Sequence, residues 1–420
     1  MTKDKTSVTV LLGAEILEKL DQNEWRRLAT GAKDSPYFLQ YEMLNGYLRH
    51  LRAETSATGE PVALVLSRGA RPVGFLLLEP ERVSVSGMRM PSLAAVVHPH
   101  APQADLLLAD GESLTAYMGL IERALTARGI RWEMLRWPAT RASAMAWRQA
   151  QDASLRSRVM TNPHGHADYF DCTRGYGAIE AAYGTSLRRR LGQASRQLAR
   201  MGSVEYKSFR AGEPGAEEAF DRFIELEGAG WKGQEGTAIS NSPALLAHYR
   251  QFFDMTGEQA WSEVHLMLLD GRLIAAQLCT VTGGLREVVK LAYDEHIRKQ
   301  SPGNVMLDHM LRLTCEDART HSFGLVGRPP WLAEWSPSSH EVHEVMLFRR
   351  PWLARICALA GDMRRSLRGC MARPQEAPAP AESAAAPADA APIIVNRGRS
   401  QPPLPRPGVP RAGEIGIPTP

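Results

Sequence analysis

Val288-Val289-Lys290-Leu291-Ala292-Tyr293-Asp294-Glu295-His296-Ile297-Arg298-Lys299-Gln300-Ser301-Pro302-Gly303-Asn304-Val305-Met306-Leu307 passes from an apolar run, through a polar loop, into a periodic apolar pattern. The spacing predicts a strand over 288–293 and a helix that opens at Pro302, with Ser301 as its N-cap. Gly303 has no Cβ, so a ligand can approach the backbone there closely. A helix start of this kind offers unpaired N–H groups and the positive end of the dipole. Together they hold phosphate without many basic side chains.

Upstream, His265 to Leu269 and Arg272 to Thr280 flank Asp270-Gly271, a hairpin signal because Gly accepts positive φ. Before it lie helical patterns over Tyr183 to Met201, ended by Gly202, and over Ala216 to Leu226; Ser242 caps a further helix from Pro243. Helices, hairpin, strand, helix, strand is an order that suits a mixed sheet flanked by helices. The same order recurs about two hundred residues earlier. Val62 to Leu66, the turn Arg68-Gly69-Ala70-Arg71 and Pro72 to Leu78 form a hairpin, and Ser113 to Arg128 a helix, as Pro302 to Arg319 does later. The fold class expected is α/β (α+β), as two related halves over 1–165 and 166–350. The split is placed at the turn-rich Thr161-Asn162-Pro163-His164-Gly165.

The chain has 420 residues, 44% hydrophobic and 23% charged, as in soluble proteins with two core-forming domains. A net charge of +4 suits anionic ligands but is too weak for a dedicated nucleic-acid binder. Cys172, Cys279, Cys315, Cys357 and Cys370 are scattered without a CxxC pattern, so free thiols and no metal are expected. With no secretory signal and no apolar run of the ~18 residues a span needs, the expected location is cytoplasmic. Residues 351–372 read as a basic amphipathic helix. Trp352, Leu353, Ile356, Leu359, Ala360, Met363 and Leu367 share a face, and Arg355, Arg364, Arg365 and Arg368 lie off it. That face either packs on its own domain or makes peripheral contact with an anionic membrane through 351–371. Twelve of the 28 prolines fall in 374–420, so 373–420 is expected to be a disordered Pro/Ala-rich tail. Within it Arg399-Ser400-Gln401-Pro402-Pro403-Leu404-Pro405 matches a polyproline ligand pattern, or does so by chance.

Gln300-x-x-Gly303-x-Val305 resembles the Gln/Arg-x-x-Gly-x-Gly/Ala pyrophosphate pattern of the GNAT acyltransferases, with Val in place of the last small residue. Tyr183 with the Arg-rich helix after it, Gly230-Trp231-Lys232, Asp270-Gly271-Arg272-Leu273-Ile274-Ala275, Ala292-Tyr293-Asp294 and Ser301-Pro302-Gly303 resemble, in order, the CelD-like branch. That branch is tied to cellulose and exopolysaccharide synthesis and is distantly similar to FemAB. In the first half the agreement is generic, through Ser35-Pro36-Tyr37-Phe38 and Trp137-Pro138. The resemblance implies two tandem GNAT-like halves, each a mixed, mostly antiparallel sheet flanked by helices. It implies acetyl-CoA or another acyl-CoA as co-substrate, held by Gln300, Ser301, Gly303 and Asn304. The acceptor would be a small-molecule or lipid-linked sugar, amino sugar or envelope precursor. The pattern departs in Phe323-Gly324-Leu325-Val326-Gly327, followed by Trp331 and Trp335. The branch carries an Asp where Gly324 stands, and a Lys that has no counterpart here. Two alternatives stay open: a non-catalytic accessory of envelope assembly, and a FemAB-like transferase using aminoacyl-tRNA.

Tyr293 would protonate the leaving thiolate, or packs beside the sheet. Asp294 and His296 are a general base, or solvated loop residues. Glu263 and His265 alternate on one strand and so share a face; they are acid/base candidates if it looks into the cleft, or a solvent-facing pair. Trp231 and Lys232 line an acceptor pocket, or Trp231 plugs the core edge. Arg188, Arg189 and Arg190 with Arg196 and Arg200 hold a phosphate-bearing acceptor, or form a solvated face. No aromatics interleave with them, so no specific nucleic-acid partner is expected. His98-Pro99-His100 and His164-Gly165-His166 lack nearby carboxylate or Cys partners and are not read as metal sites.

Overall fold

The structure, a computed structural model, describes residues 5–31, 37–55, 57–230, 233 and 235–371, with side chains described to 363. Trp231, Lys232 and the tail 373–420 lie outside the described residues.

Each half begins with antiparallel strands. In the first they are β1 (Thr6–Leu12), β2 (Val62–Arg68), β3 (Arg71–Val85) and β4 (Met88–Ala95); Leu107–Leu108 is β5 and Met134–Arg141 is β6. Helix Met118–Ala127 leads into β6, which pairs parallel to β4. After β7 (Val159–Asp171) the second half repeats the plan with β8 (Val204–Arg210), β9 (Ala260–Leu269), β10 (Arg272–Thr282) and β11 (Leu285–Tyr293). Helix Pro302–Glu316 then leads into β12 (Ser322–Leu325), parallel to β11. The last strand, β13 (Ser338–Phe348), inserts between β6 and β7. The result is one 13-stranded mixed sheet ordered β1-β2-β3-β4-β6-β13-β7-β12-β11-β10-β9-β8, with β5 on β3.

Local chemistry explains these elements. Asp270 and Gly271 both take positive φ, 49° and 80°, in the two-residue turn between β9 and β10. Ser242 Oγ accepts from Leu245 N at 3.1 Å, and Pro243 follows at the first helical position. Gly202 ends helix Thr185–Met201 in extended backbone, and only glycine fits there, since a Cβ would stand 2.0 Å from Asp270 Oδ2. The expected turn at Thr161 to Gly165 is instead part of β7, paired with Val342 to Val345 of β13. Pro163 is tolerated because the register shifts beside it, where the ladder needs no donor.

Three main cores result. One packs helix Met118–Ala127 on the first half, and one packs helices Thr185–Met201 and Pro302–Glu316 on the second. The third is common to both halves, joining Tyr37, Phe38 and Phe75 to Phe220, Tyr249, Val264 and Val289. Helix Pro351–Met371 packs through Ala354 and Cys357. Its apolar stripe is not the covered face: Trp352, Ile356, Leu359 and Met363 are 44–65% exposed. Among the described residues no helix is long and apolar enough to cross a membrane.

Candidate active site

β11 and β12 pair only from Leu285↔Ser322 to Val288↔Leu325. Beyond Val288, β11 runs on to Tyr293 without β12, so the two parallel strands part. At the point of parting the β10–β11 register shifts: Leu278 faces Lys290, Cys279 faces Val288, and Val289 is the extra residue. A bulge leaves its extra residue out of the ladder and turns neighbouring side chains to one side. Lys290 thus lies toward helix Pro243–Phe253, its ammonium 5.7 Å from the Tyr249 ring centre.

Past β11 the chain crosses a 3₁₀ segment, Glu295–Gln300, and enters helix Pro302–Glu316. Asp294 caps the 3₁₀ segment, accepting from His296 N at 2.9 Å, and pairs with Arg272. It is 7% exposed and already committed. Contrary to the expectation from sequence, Ser301 makes no side-chain cap. It sits in the left-handed region, φ 50°, and its carbonyl accepts from Asn304 N and Val305 N. Pro302 has no N–H, so Gly303 N–H is the amide left for a ligand in this turn. A Cβ on Gly303 would stand 3.3 Å from Tyr293 Cδ1, so the glycine accommodates the Tyr293 ring as well as any incoming group. Burial, then Glu295, raises the Tyr293 phenol and keeps it protonated. Gln300 is partly buried beside this turn, while His296 and Asn304 are exposed.

On the side of the sheet facing the shared core stands a group that sequence reasoning missed. Glu287 is fully buried and pairs with Arg141 from the end of β6 in the other half. Its second oxygen, Oε2, is buried without a hydrogen-bond partner. Tyr37 lies close by, its hydroxyl donating to His100 O at 3.1 Å; burial and then Glu287 push that phenol well above the usual range. His100 Nδ1 contacts Tyr249 Oη at 3.0 Å. Opposite Glu287 on β12 is Gly324, whose Cβ would lie 3.6 Å from Glu287 Oε1. An Asp at 324 would set two carboxylates against each other, so Glu287 fills the place that Gly324 leaves.

The structure brings Tyr293, Ser301 and Gly303 together at one end of β11 and puts other candidates elsewhere. Glu263 and His265 share a face, as expected. They lie on β9, two strands from β11, with Glu263 level with Cys279 and Val288; Glu263 is bonded to Arg286 Nε at 2.6 Å. Arg188 is exposed on helix Thr185–Met201, and Arg190 pairs with Glu334. Tyr183 is buried, donating to Asp308 Oδ1 at 3.3 Å.

Residues 185–329 match the family model of the acetyltransferase (GNAT) domain. That segment, an acyltransferase domain of GNAT type, contains the parting strands, the bulge and the turn at Gly303. Similar solved structures include FemX, with 10% identity, a TM-score of 0.49, and cover of 80% of this chain and 98% of that one. L-PGS from Bacillus licheniformis aligns at 10% identity and TM-score 0.40 over 67% and 84%. A tandem GNAT protein from the clavulanic acid biosynthesis pathway aligns at 14% and 0.37 over 81% and 98%. No curated protein matches the chain.

Proposed function

We propose that the second half is an acyl-CoA-dependent N- or O-acyltransferase site, working in the opening between β11 and β12. The observation that carries this reading is the Val289 bulge where the strands part, with the Gly303 turn at the far end of the same strand. Gly303 N–H and the helix dipole hold the pyrophosphate, with Gln300, Ser301 and Asn304 around it. The thioester lies along the opening, and the Val289 amide receives the developing oxyanion, worth about 3 kcal/mol of barrier. The acceptor enters from the side of Tyr37, Tyr249 and Lys290, and its N–H or O–H meets Glu287 Oε2. The carboxylate takes that proton as the acceptor attacks the carbonyl. The C–S bond breaks and Tyr293 protonates the thiolate. A sugar, amino sugar or lipid-linked envelope precursor as acceptor rests on the CelD-like resemblance alone.

Thermal unfolding with acetyl-CoA and longer acyl-CoAs tests the reading. A native-state ligand at a hundredfold excess over Kd stabilises by about 2.7 kcal/mol. Glu287→Gln should keep that shift and lower turnover by ~10²–10⁴-fold. No shift with any acyl-CoA would remove the assignment and favour aminoacyl-tRNA as donor.

The exposed stripe Trp352, Ile356, Leu359 and Met363, with Arg355 beside it, favours a second reading: the chain rests on an anionic membrane through this helix, with or without catalysis. Full-length protein should then co-sediment with phosphatidylglycerol vesicles while a chain ending at Arg350 stays in solution. Equal partition of the two would end it.

A further inference from the structure

A cavity of about 320 Å³ opens on the outer strands β8 and β9, under the C-terminal end of helix Pro302–Glu316. Along that helix its nearest lining residue, Leu313, is about 15 Å from the Gly303 turn. Its lining includes Ser208, Arg210, Trp261, Glu263, His265 and Arg286. The acyl-transfer scheme uses none of them.

Pairing places Ser208 directly opposite His265, and Arg210 opposite Glu263. Residues facing each other or two apart on a strand share a side of the sheet. Ser208 Oγ lies 2.7 Å from His265 Nδ1, and His265 Nε2 lies 3.0 Å from Glu263 Oε1. The Nε2 contact falls off the hydrogen-bonding axis, so the carboxylate stands against the ring by close approach rather than by a hydrogen bond. Glu263 is fixed in turn by Arg286 Nε at 2.6 Å and Trp261 Nε1 at 3.0 Å. Burial would raise the Glu263 carboxyl, but His265 and Arg286 hold it well below the usual carboxylate range. His265 is 2% and Glu263 5% exposed, while Ser208 stands open at the cavity mouth. A hydroxyl within bonding reach of an imidazole that a buried carboxylate orients is the arrangement of an activated nucleophile.

We propose that Ser208, His265 and Glu263 form a second, hydrolytic site for small carboxylic esters. His265 carries its proton on Nε2, toward Glu263, and leaves Nδ1 free to accept. Ser208 Oγ bonds to the acyl carbon and its proton passes to His265 Nδ1. The ester C–O bond breaks, and the imidazolium returns that proton to the departing alkoxide. Water then attacks the acyl-serine by the same route, releasing the acid and restoring the hydroxyl. Arg210, two residues along the edge strand on the same side, supplies the cation for the oxyanion. A cavity of this size holds a short acyl group and little more.

The test uses the full chain with a fluorophosphonate probe and p-nitrophenyl acetate. Mass spectrometry should place a single adduct on Ser208. Ser208→Ala, at an exposed position, should fold as wild type, take no adduct and hydrolyse the ester ~10²-fold or more slowly. His265→Gln should slow labelling comparably while leaving Ser208 in place. An unlabelled protein, an adduct elsewhere, or wild-type hydrolysis by Ser208→Ala would each overturn the proposal.

Discussion

The two halves share a plan and differ at the place where their parallel strands part. In the second half, residues 294–301 carry the chain directly from β11 to its helix, and β11 has no pairing with β12 beyond Val288. In the first half, residues 96–117 make the same journey and turn back over β6 on the way. Ala104 N donates to Ala139 O at 2.7 Å and Thr140 Oγ1 to Ala104 O at 2.9 Å, closing the corresponding edge. A helix N-terminus there already holds an anion of its own: Asp105 accepts from Met145 N at 2.9 Å and Ala146 N at 2.6 Å. Both halves thus use main-chain donors at a helix start. One satisfies them internally through Asp105. In the other, Gly303 N–H is where the proposed function places the pyrophosphate.

If the first half is a buttress, its main service is to complete the second half's site, and Arg141 is where that service is measurable. The guanidinium comes from β6 and the carboxylate from β11, with Glu287 fully buried. Arg141→Leu removes one partner and strands the other charge in the core, which costs about 3–5 kcal/mol. Urea unfolding at pH 7 should show that loss, and adding Glu287→Gln to Arg141→Leu should recover part of it. A loss under about 1 kcal/mol for Arg141→Leu would mean that the halves are not coupled through this pair.

How much of this was open to sequence reading divides along the same line. Asp270-Gly271, the 288–293 strand and the helix from Pro302 are local signals of turn chemistry and periodicity. Each appears where the residues placed it. Glu287 was passed over because a lone Glu among valines carries no local signature; its meaning comes from Arg141, 146 residues away. The insertion of β13 between β6 and β7 is likewise non-local, and it turned an expected boundary at Thr161 to Gly165 into paired strand. Ser301 looked like a cap because Ser before Pro usually is one, but a left-handed residue directs its side chain away from the first turn. On helix Pro351–Met371, periodicity disclosed an amphipathic face and not which side the sheet would cover. Small Ala354 and Cys357 approach the sheet, and the bulky stripe is left outside.

The smaller test sets a histidine at the junction of the halves against the carboxylate inside the first. His248 has no exposed surface and packs against Gly46, whose Cβ would stand 2.7 Å from His248 Nδ1. Burial holds its pKa down at about 4, against 6.5 for an exposed histidine. The folded state therefore binds fewer protons than the unfolded chain below pH 6.5. Its contribution is fully present above that pH and is lost as pH falls through about 4, by at most about 3 kcal/mol. Asp105 works in the other direction. Burial raises its pKa to about 6, so its protonation in the fold offsets part of the acid loss between pH 6 and 4. Stability from urea titrations at pH 7, 5.5 and 4.5 should therefore fall with acid less steeply in His248→Gln than in wild type. In Asp105→Asn it should fall more steeply. A wild-type slope in His248→Gln would move the acid sensitivity away from the junction, toward the half-buried His98 and His309, whose pKa values burial also lowers.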